Sequence, residues 1–285
     1  MPQLVLGVLT WSYHRQFGPK YSESAEAVID KVGALAKEFG VRPMGIDFGT
    51  GQMRSTDPAY VDELKARLDG YGLSPMVAVG GLAISADRVA AEASLRNSVK
   101  GLETAARLGA KVAGFSLGWN GRVSRSGRFP IMIELIGRLA AEAKNYGLSI
   151  CTENFDYLRP QEMAYIFEQV RRAGHANAGI QNDIGNWLIT GDDPVLAAEV
   201  CNPYLVHVHA RDYLLKNGVF TSVPIGRGMT DFGKALDVIR RAPVAGPITL
   251  SMETDLDEGD EDEAIRQCAM WMTDWFRKQG LPLQQ

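Results

Sequence analysis

A chain of 285 residues, 46% hydrophobic and 22% charged, has ordinary globular composition and enough length for one large domain. Its formal net charge of −4 leaves no broad basic footprint for neutralising nucleic-acid phosphates. Three widely spaced cysteines, Cys151, Cys201 and Cys268, exclude a disulfide framework or CxxC metal site and fit a reducing compartment, and no apolar run approaches the roughly 20 residues of a membrane span.

The first apolar run, LVLGVLTW (4–11), has no basic segment before it and leads straight into polar residues. It reads as a strand rather than a secretory signal, so the expected location is cytoplasmic. Similar runs follow at MGIDFG (44–49), SPMVAVGG (74–81), KVAGFSLG (111–118), LSICTENF (148–155), AGIQNDIG (178–185), LVHVHARD (205–212) and PITLSMET (247–254). Amphipathic stretches between them predict helices over 24–39, 58–68, 87–108, 130–146, 160–173, 194–200, 232–240 and 261–278. Asp57-Pro58 and Asp193-Pro194 pair an N-cap with a first-turn proline. Gly40, Gly72, Gly109, Gly147, Gly174 and Gly280 follow helical stretches where a left-handed C-cap favours glycine. The acidic run TDLDEGDEDEA (254–264) reads as a solvated loop feeding the last helix through the macrodipole. This alternation predicts an α/β fold, a (β/α)8 TIM barrel forming a single domain over residues 1–285. An open doubly wound sheet fits less well, because no GxGxxG turn follows the first strand.

Barrel enzymes carry their chemistry at the C-terminal ends of the strands. There the fifth run offers Glu153, the sixth Asp183, the seventh His209 and the eighth Glu253. Strand alternation points Cys151, Gln181, His207 and Ser251 inward with these four, leaving Ile150, Ile180, Val206, Val208, Leu250 and Met252 for the helices. Any one of the acids is explained by a backbone or Arg partner. Four acids and imidazoles buried together are costly without a shared cation, and three carboxylates with one imidazole suit Mn2+, Mg2+ or Co2+. We take Mn2+ first.

The motifs TENFDY, QNDIGNW, HVHARD, PIGRGMTDF and METD, in this order, resemble those of the xylose isomerase-like TIM-barrel superfamily, the sugar phosphate isomerase/epimerase family. The resemblance implies that Glu153, Asp183, His209 and Glu253 bind the metal. It also implies that Glu153 and Glu253 act as the acid/base pair on opposite faces of the substrate. His209 begins an H-x-x-D element closed by Asp212, the expected orienting partner of the imidazole. Two departures stand out: Asn186 and Phe155 occupy positions where many members carry histidine, and Asn186 cannot carry a proton at neutral pH. The family includes ketose epimerases, isomerases, dehydratases, other lyases and apurinic-site endonucleases. The endonuclease reading fails on histidine count, with four in the chain. A Schiff-base aldolase fails because no run ends in lysine.

The expectation is therefore a divalent-metal-dependent sugar or polyol isomerase or epimerase, moving a proton through a metal-stabilised enediolate. The alternatives are a metal-dependent lyase or dehydratase acting on a keto-sugar, keto-glycoside or keto-inositol, and a barrel that binds sugar without turnover. Further substrate-binding candidates are His207, Arg211, Asn186, Trp11, Trp119, Trp187, Arg227 and His14. His207 is equally a core histidine, and Arg211 and Arg227 are equally partners of acids or solvent-facing. The tryptophans offer apolar faces for a sugar ring or for packing. Expected partners are a small carbohydrate and a second copy of the chain in a homo-oligomer, with neither nucleic acid nor membrane.

Overall fold

Alternating strands and helices close on themselves. The protein, seen in a computed structural model, is described for residues 1–16, 24–119, 123–154 and 158–284; Phe155 lies outside them. Eight parallel strands form the barrel: β1 (Leu4–Leu9), β2 (Met44–Gly49), β3 (Leu73–Ile84), β4 (Val112–Trp119), β5 (Ser149–Glu153), β6 (Ala178–Asp183), β7 (Leu205–Ala210) and β10 (Ile248–Met252). They pair in the order β1-β10-β7-β6-β5-β4-β3-β2, closed by β1 against β2. The intervening β8 (Asp212–Lys216) and β9 (Val219–Val223) form a separate antiparallel hairpin over the C-terminal rim.

The helices form where their caps predict. α1 (Ala25–Phe39), α3 (Arg88–Arg107), α7 (Pro194–Cys201) and α9 (Glu261–Lys278) begin at Ser24, Asp87, Asp193 and Asp260, whose side chains accept backbone N–H groups of the first turn. α2 (Pro58–Tyr71) starts at Asp57-Pro58 without a side-chain cap bond, the proline's missing N–H being one that has no helical partner anyway. All six expected C-cap glycines have positive φ, between 65° and 96°. α5 (Pro160–Arg172) and α8 (Phe232–Ile239) match their predicted spans closely.

α4 (Arg125–Lys144) corrects one boundary. Pro130 was expected to open it, yet Ser124 caps Gly127 N–H and the helix is already running when Pro130 arrives on its exposed face. Only the carbonyl four residues back, that of exposed Ser126, loses its helical partner. α6 (Asn186–Thr190), a single turn after β6, was not foreseen.

The apolar core lies between sheet and helices, with Leu6, Val8, Ile46, Val77, Ile150, Ile180, Val208 and Leu250 buried against the helical layer. The barrel lumen is instead filled by small and polar side chains. Gly7 and Gly45 face inward at its base, where a Cβ on Gly7 would stand 2.7 Å from Thr249 Cγ2 and 2.8 Å from Ser251 Oγ. Polar groups collect above that floor.

Candidate metal centre and active site

In-register pairing sets Glu153 beside Gln181, and Asp183 and Ser251 beside His209. Glu253, one residue past β10, is tied to the sheet by its backbone N–H bond to Ala210 O. Consequently Glu153, Asp183, His209 and Glu253 each present a ligand atom, all within 4.8 Å of one another. Asp183, His209 and Glu253 are at most 2% exposed, and the Glu153 side chain is 12% exposed. The inward register expected from alternation is the one observed.

Each group is held from outside. Asn186 Nδ2 donates to Glu153 Oε1 at 2.8 Å and Gln181 Nε2 to Glu153 Oε2 at 3.1 Å. Asp183 Oδ1 accepts the Asn186 N–H at 3.0 Å, and Asn154 clamps the Asp183 backbone through its side-chain oxygen and nitrogen. His209 Nδ1 faces Glu153 Oε2 at 3.4 Å and Glu253 Oε2 at 3.2 Å. Arg211 lies against Glu253 Oε1, with Nε 3.4 Å from Asp183 Oδ2 and one terminal nitrogen donating to the Tyr213 hydroxyl at 2.8 Å.

These charges shape one another. Burial pushes the Asp183 carboxyl up to about 7, with Glu153 adding repulsion against the opposing pull of Arg211. Burial alone would also raise Glu153, but the His209 charge and hydrogen bond outweigh it and hold this carboxyl below its usual value. Burial disfavours the His209 cation, yet Glu153 and Asp47 carry its pKa up to about 10. The donor set fits a divalent ion: Asp183 Oδ2 and both Glu253 carboxylate oxygens are buried without a well-formed hydrogen bond from the described residues. Oxygens left in this state are costly unless a cation serves them.

Beneath the four ligands is a second layer. His207 is 1% exposed, with Nε2 2.6 Å from Asp47 Oδ2 and 3.3 Å from Ser251 Oγ. Asp47, on β2, also stands 3.3 Å from His209 Nε2. Burial would raise Asp47, but the two imidazoles draw its carboxyl far below the usual range. His207 is thus one position deeper than the cleft and meets its lining through Asp47 and, edge-to-face at 5.6 Å between ring centroids, through His209.

Asp212 corrects an expectation. It does not orient His209; that carboxylate is Asp47. Asp212 Oδ1 accepts the N–H of Tyr213 and Thr230, at 2.9 and 3.2 Å, and Oδ2 those of Gly226 and Gly228, at 3.0 and 2.8 Å. The reason is parity: three residues on from His209, Asp212 projects to the opposite side of the chain.

The remaining candidates separate around a cleft of about 560 Å3 beside the ligands. Trp11, half exposed, lines it with Asp47, Glu153, Gln181 and His209. His14 stacks behind Trp11, ring centroids 5.4 Å apart, and turns to Asp255 and Glu261. Trp119 faces a different cavity beside α3, with Arg128 4.1 Å above its ring. Trp187 is not brought to the cleft at all: it is fully buried and donates its indole N–H to Asn182. Arg227 is exposed in the loop that Asp212 gathers. Asn186 contacts two ligands, as described above.

Sequence reasoning missed the importance of Gln181, Asn154 and Tyr213, and of Asp47 as the partner of both imidazoles. Gln181 shares the inward parity of Asp183, which is a signal available in the sequence. The Asp47–His207 contact spans 160 residues, and no local motif marks it. In the acidic run, Glu261 is fully buried rather than solvated, accepting the Arg15 N–H at 3.1 Å and Gln16 Nε2 at 2.9 Å.

Known proteins share this fold. A 99-residue segment is 28% identical to L-ribulose-5-phosphate 3-epimerase UlaE of Shigella flexneri serotype 5b (strain 8401), covering 35% of this chain and 34% of that protein. The match therefore spans about a third of the length of these curated relatives. D-psicose 3-epimerase from Clostridium cellulolyticum H10, solved with D-tagatose, superposes with a TM-score of 0.72 at 17% identity, over 96% of this chain and 99% of that one. A xylose isomerase-like TIM barrel protein from Mycobacterium smegmatis, solved in complex with magnesium, gives 0.71 at 15% identity over 98% and 97% of the two chains. The profile of the xylose isomerase-like TIM barrel family matches residues 33–275, and with the closed barrel it establishes that this chain belongs to that family.

Proposed function

We propose that this protein is a divalent-metal-dependent isomerase or epimerase of a small carbohydrate, with Glu153 and Glu253 as its acid/base pair. The observation that carries the reading is the convergence of Glu153, Asp183, His209 and Glu253 within 4.8 Å beside an open cleft. Mn2+ is the ion we favour, with Mg2+ and Co2+ as alternatives. When bound, such an ion supplies Lewis acidity and a template for two neighbouring substrate oxygens.

The two glutamates come from β5 and from the end of β10, with β6 and β7 between them in the barrel, so they address a substrate from different sides. One carboxylate oxygen takes the proton from the carbon beside the carbonyl, leaving the substrate as its enediolate. The other glutamate returns a proton to the opposite face, inverting that carbon, or to the adjacent carbon, moving the carbonyl. Asn186 and Gln181 hold Glu153, and Arg211 holds Glu253, so neither base has to be ordered by the substrate.

The test is incubation of the Mn2+-loaded protein with a ketose panel in D2O, followed by NMR. Deuterium at the carbon beside the carbonyl, lost by about 100-fold or more in Glu153→Gln and Glu253→Gln, is the expected result. Elimination of water or an aglycone without exchange would replace this reading with the lyase. Exchange that survives both chelation and the two substitutions would sink it.

A further inference from the structure

The cleft beside the metal ligands is chemically lopsided. Glu153, His209, Asp47 and Gln181 form one wall, while the rest, built from the ends of β1 to β4, is largely apolar. Leu9, Trp11, Met76 and Ala78 turn side chains into that half, Phe48 and Phe115 border it with strand backbone while sharing the outward parity of Val77 and Ile180, and Gly49, Gly51, Gly80, Gly81 and Gly114 keep it wide. A Cβ on Gly51 would meet nothing within 4 Å, whereas one on Gly114 would stand 3.1 Å from Met76 Sδ. The width is therefore set partly by open space at the mouth and partly by glycine deep in the wall. Met76 is 6% exposed, so the wall is anchored in packed structure, and Trp11 caps it with a half-exposed indole.

No Lys or Arg lines this cleft among the described residues. Nearby basic side chains are committed elsewhere. Arg15 and His14 turn to Glu261 and Asp255, and Arg211 lies on the far side of the ligands with Glu253, Asp183 and Tyr213. Even the Gln52 side-chain oxygen is occupied, by Thr10 Oγ1 and the Gly49 N–H. A phosphate placed here would lose its hydration, gain no charged side-chain partner and face the carboxylates of Asp47 and Glu153. An uncharged apolar group would lose only unfavourable contact with water.

We infer that the substrate is an unphosphorylated carbonyl sugar bearing an apolar substituent, such as an aryl or alkyl group, which occupies the β1–β4 half of the cleft against Leu9, Trp11 and Met76. This rests on the functional reading above and refines its substrate class. It separates this chain from the curated relative, whose name states a sugar phosphate.

Binding to the Mn2+-loaded protein, measured by calorimetry, tests the inference without turnover. The probes are phenyl β-D-glucopyranoside and 6-O-benzyl-D-glucose, against D-glucose and D-glucose 6-phosphate. At least one aryl probe is expected to bind about tenfold or more tighter than glucose, from roughly 100 Å2 of newly buried apolar surface, and the phosphate no tighter than glucose. In Trp11→Ala, and separately in Met76→Gln, the aryl-to-glucose ratio is expected to fall toward one. Tighter binding of the phosphate, or aryl probes no better than glucose or with no detectable binding, would overturn the inference. Deuterium exchange on ketoses is scored independently: exchange without aryl preference defeats this inference alone, and aryl preference without exchange defeats the isomerase reading alone.

Discussion

Asp47 serves two imidazoles at once, and this is where the residue scale is most informative. Its Oδ2 stands 2.6 Å from His207 and 3.3 Å from His209, so it fixes which His209 nitrogen faces the glutamates. Asp47→Asn keeps the shape and removes the charge. Metal affinity is expected to fall by about 10- to 100-fold, read by calorimetry with Mn2+, while far-UV circular dichroism stays unchanged. Unaltered affinity in Asp47→Asn, with a loss in Asp212→Asn, would restore the local H-x-x-D reading. The convergence of the four proposed ligands was legible because each ends an apolar run with the same inward parity as its neighbours. Their orienting carboxylate was not, because strand β2 meets β7 only through the lumen and periodicity carries no information across it. His207 had looked evenly balanced between substrate and core for the same reason.

Among the elements, the hairpin of β8 and β9 is the chief departure from a plain strand-helix alternation. Asn217 and Gly218 form its turn with φ of 52° and 80°, the paired positive values of a tight hairpin, and Asn-Gly between apolar-rich segments is the sequence signal that could have announced it. Asp212 opens the hairpin and gathers the loop at 226–230 onto it with backbone bonds, and a Cβ on Gly228 would collide with its carboxylate. Asp212→Ala strands several N–H groups and is expected to cost about 3 kcal/mol in chemical denaturation. Hydrogen exchange should show lost protection at Gly226, Gly228 and Thr230. Protection unchanged at those amides would refute the stapling role. Gly228→Ala is expected to produce the same local signature through the clash. The barrel strands were far more legible than this insertion, since β-branched runs and cap residues are local signals, whereas Pro130 misled because an exposed helix face tolerates the bond it removes.

At the scale of the whole molecule, the ligands come from four strands, so a bound ion ties together half of the barrel's circumference. Binding to the folded state alone should stabilise it by about 2.7 kcal/mol when the free ion is a hundredfold above its dissociation constant. For a chain of this size that raises the thermal midpoint by roughly 5 °C, reversed by chelator, and a midpoint indifferent to Mn2+, Mg2+ and Co2+ would contradict the metal site. The size of that increment matters less than its not being indispensable. Arg211, wedged among Asp183, Glu253 and Tyr213, gives the acidic rim a covalently attached counterion of its own. The barrel is thereby equipped to finish folding before any metal arrives, and chain refolded in chelator is expected to regain its full circular dichroism. On the function proposed above, supply of metal would govern when this protein works, while its survival in a metal-poor cell is left to an arginine.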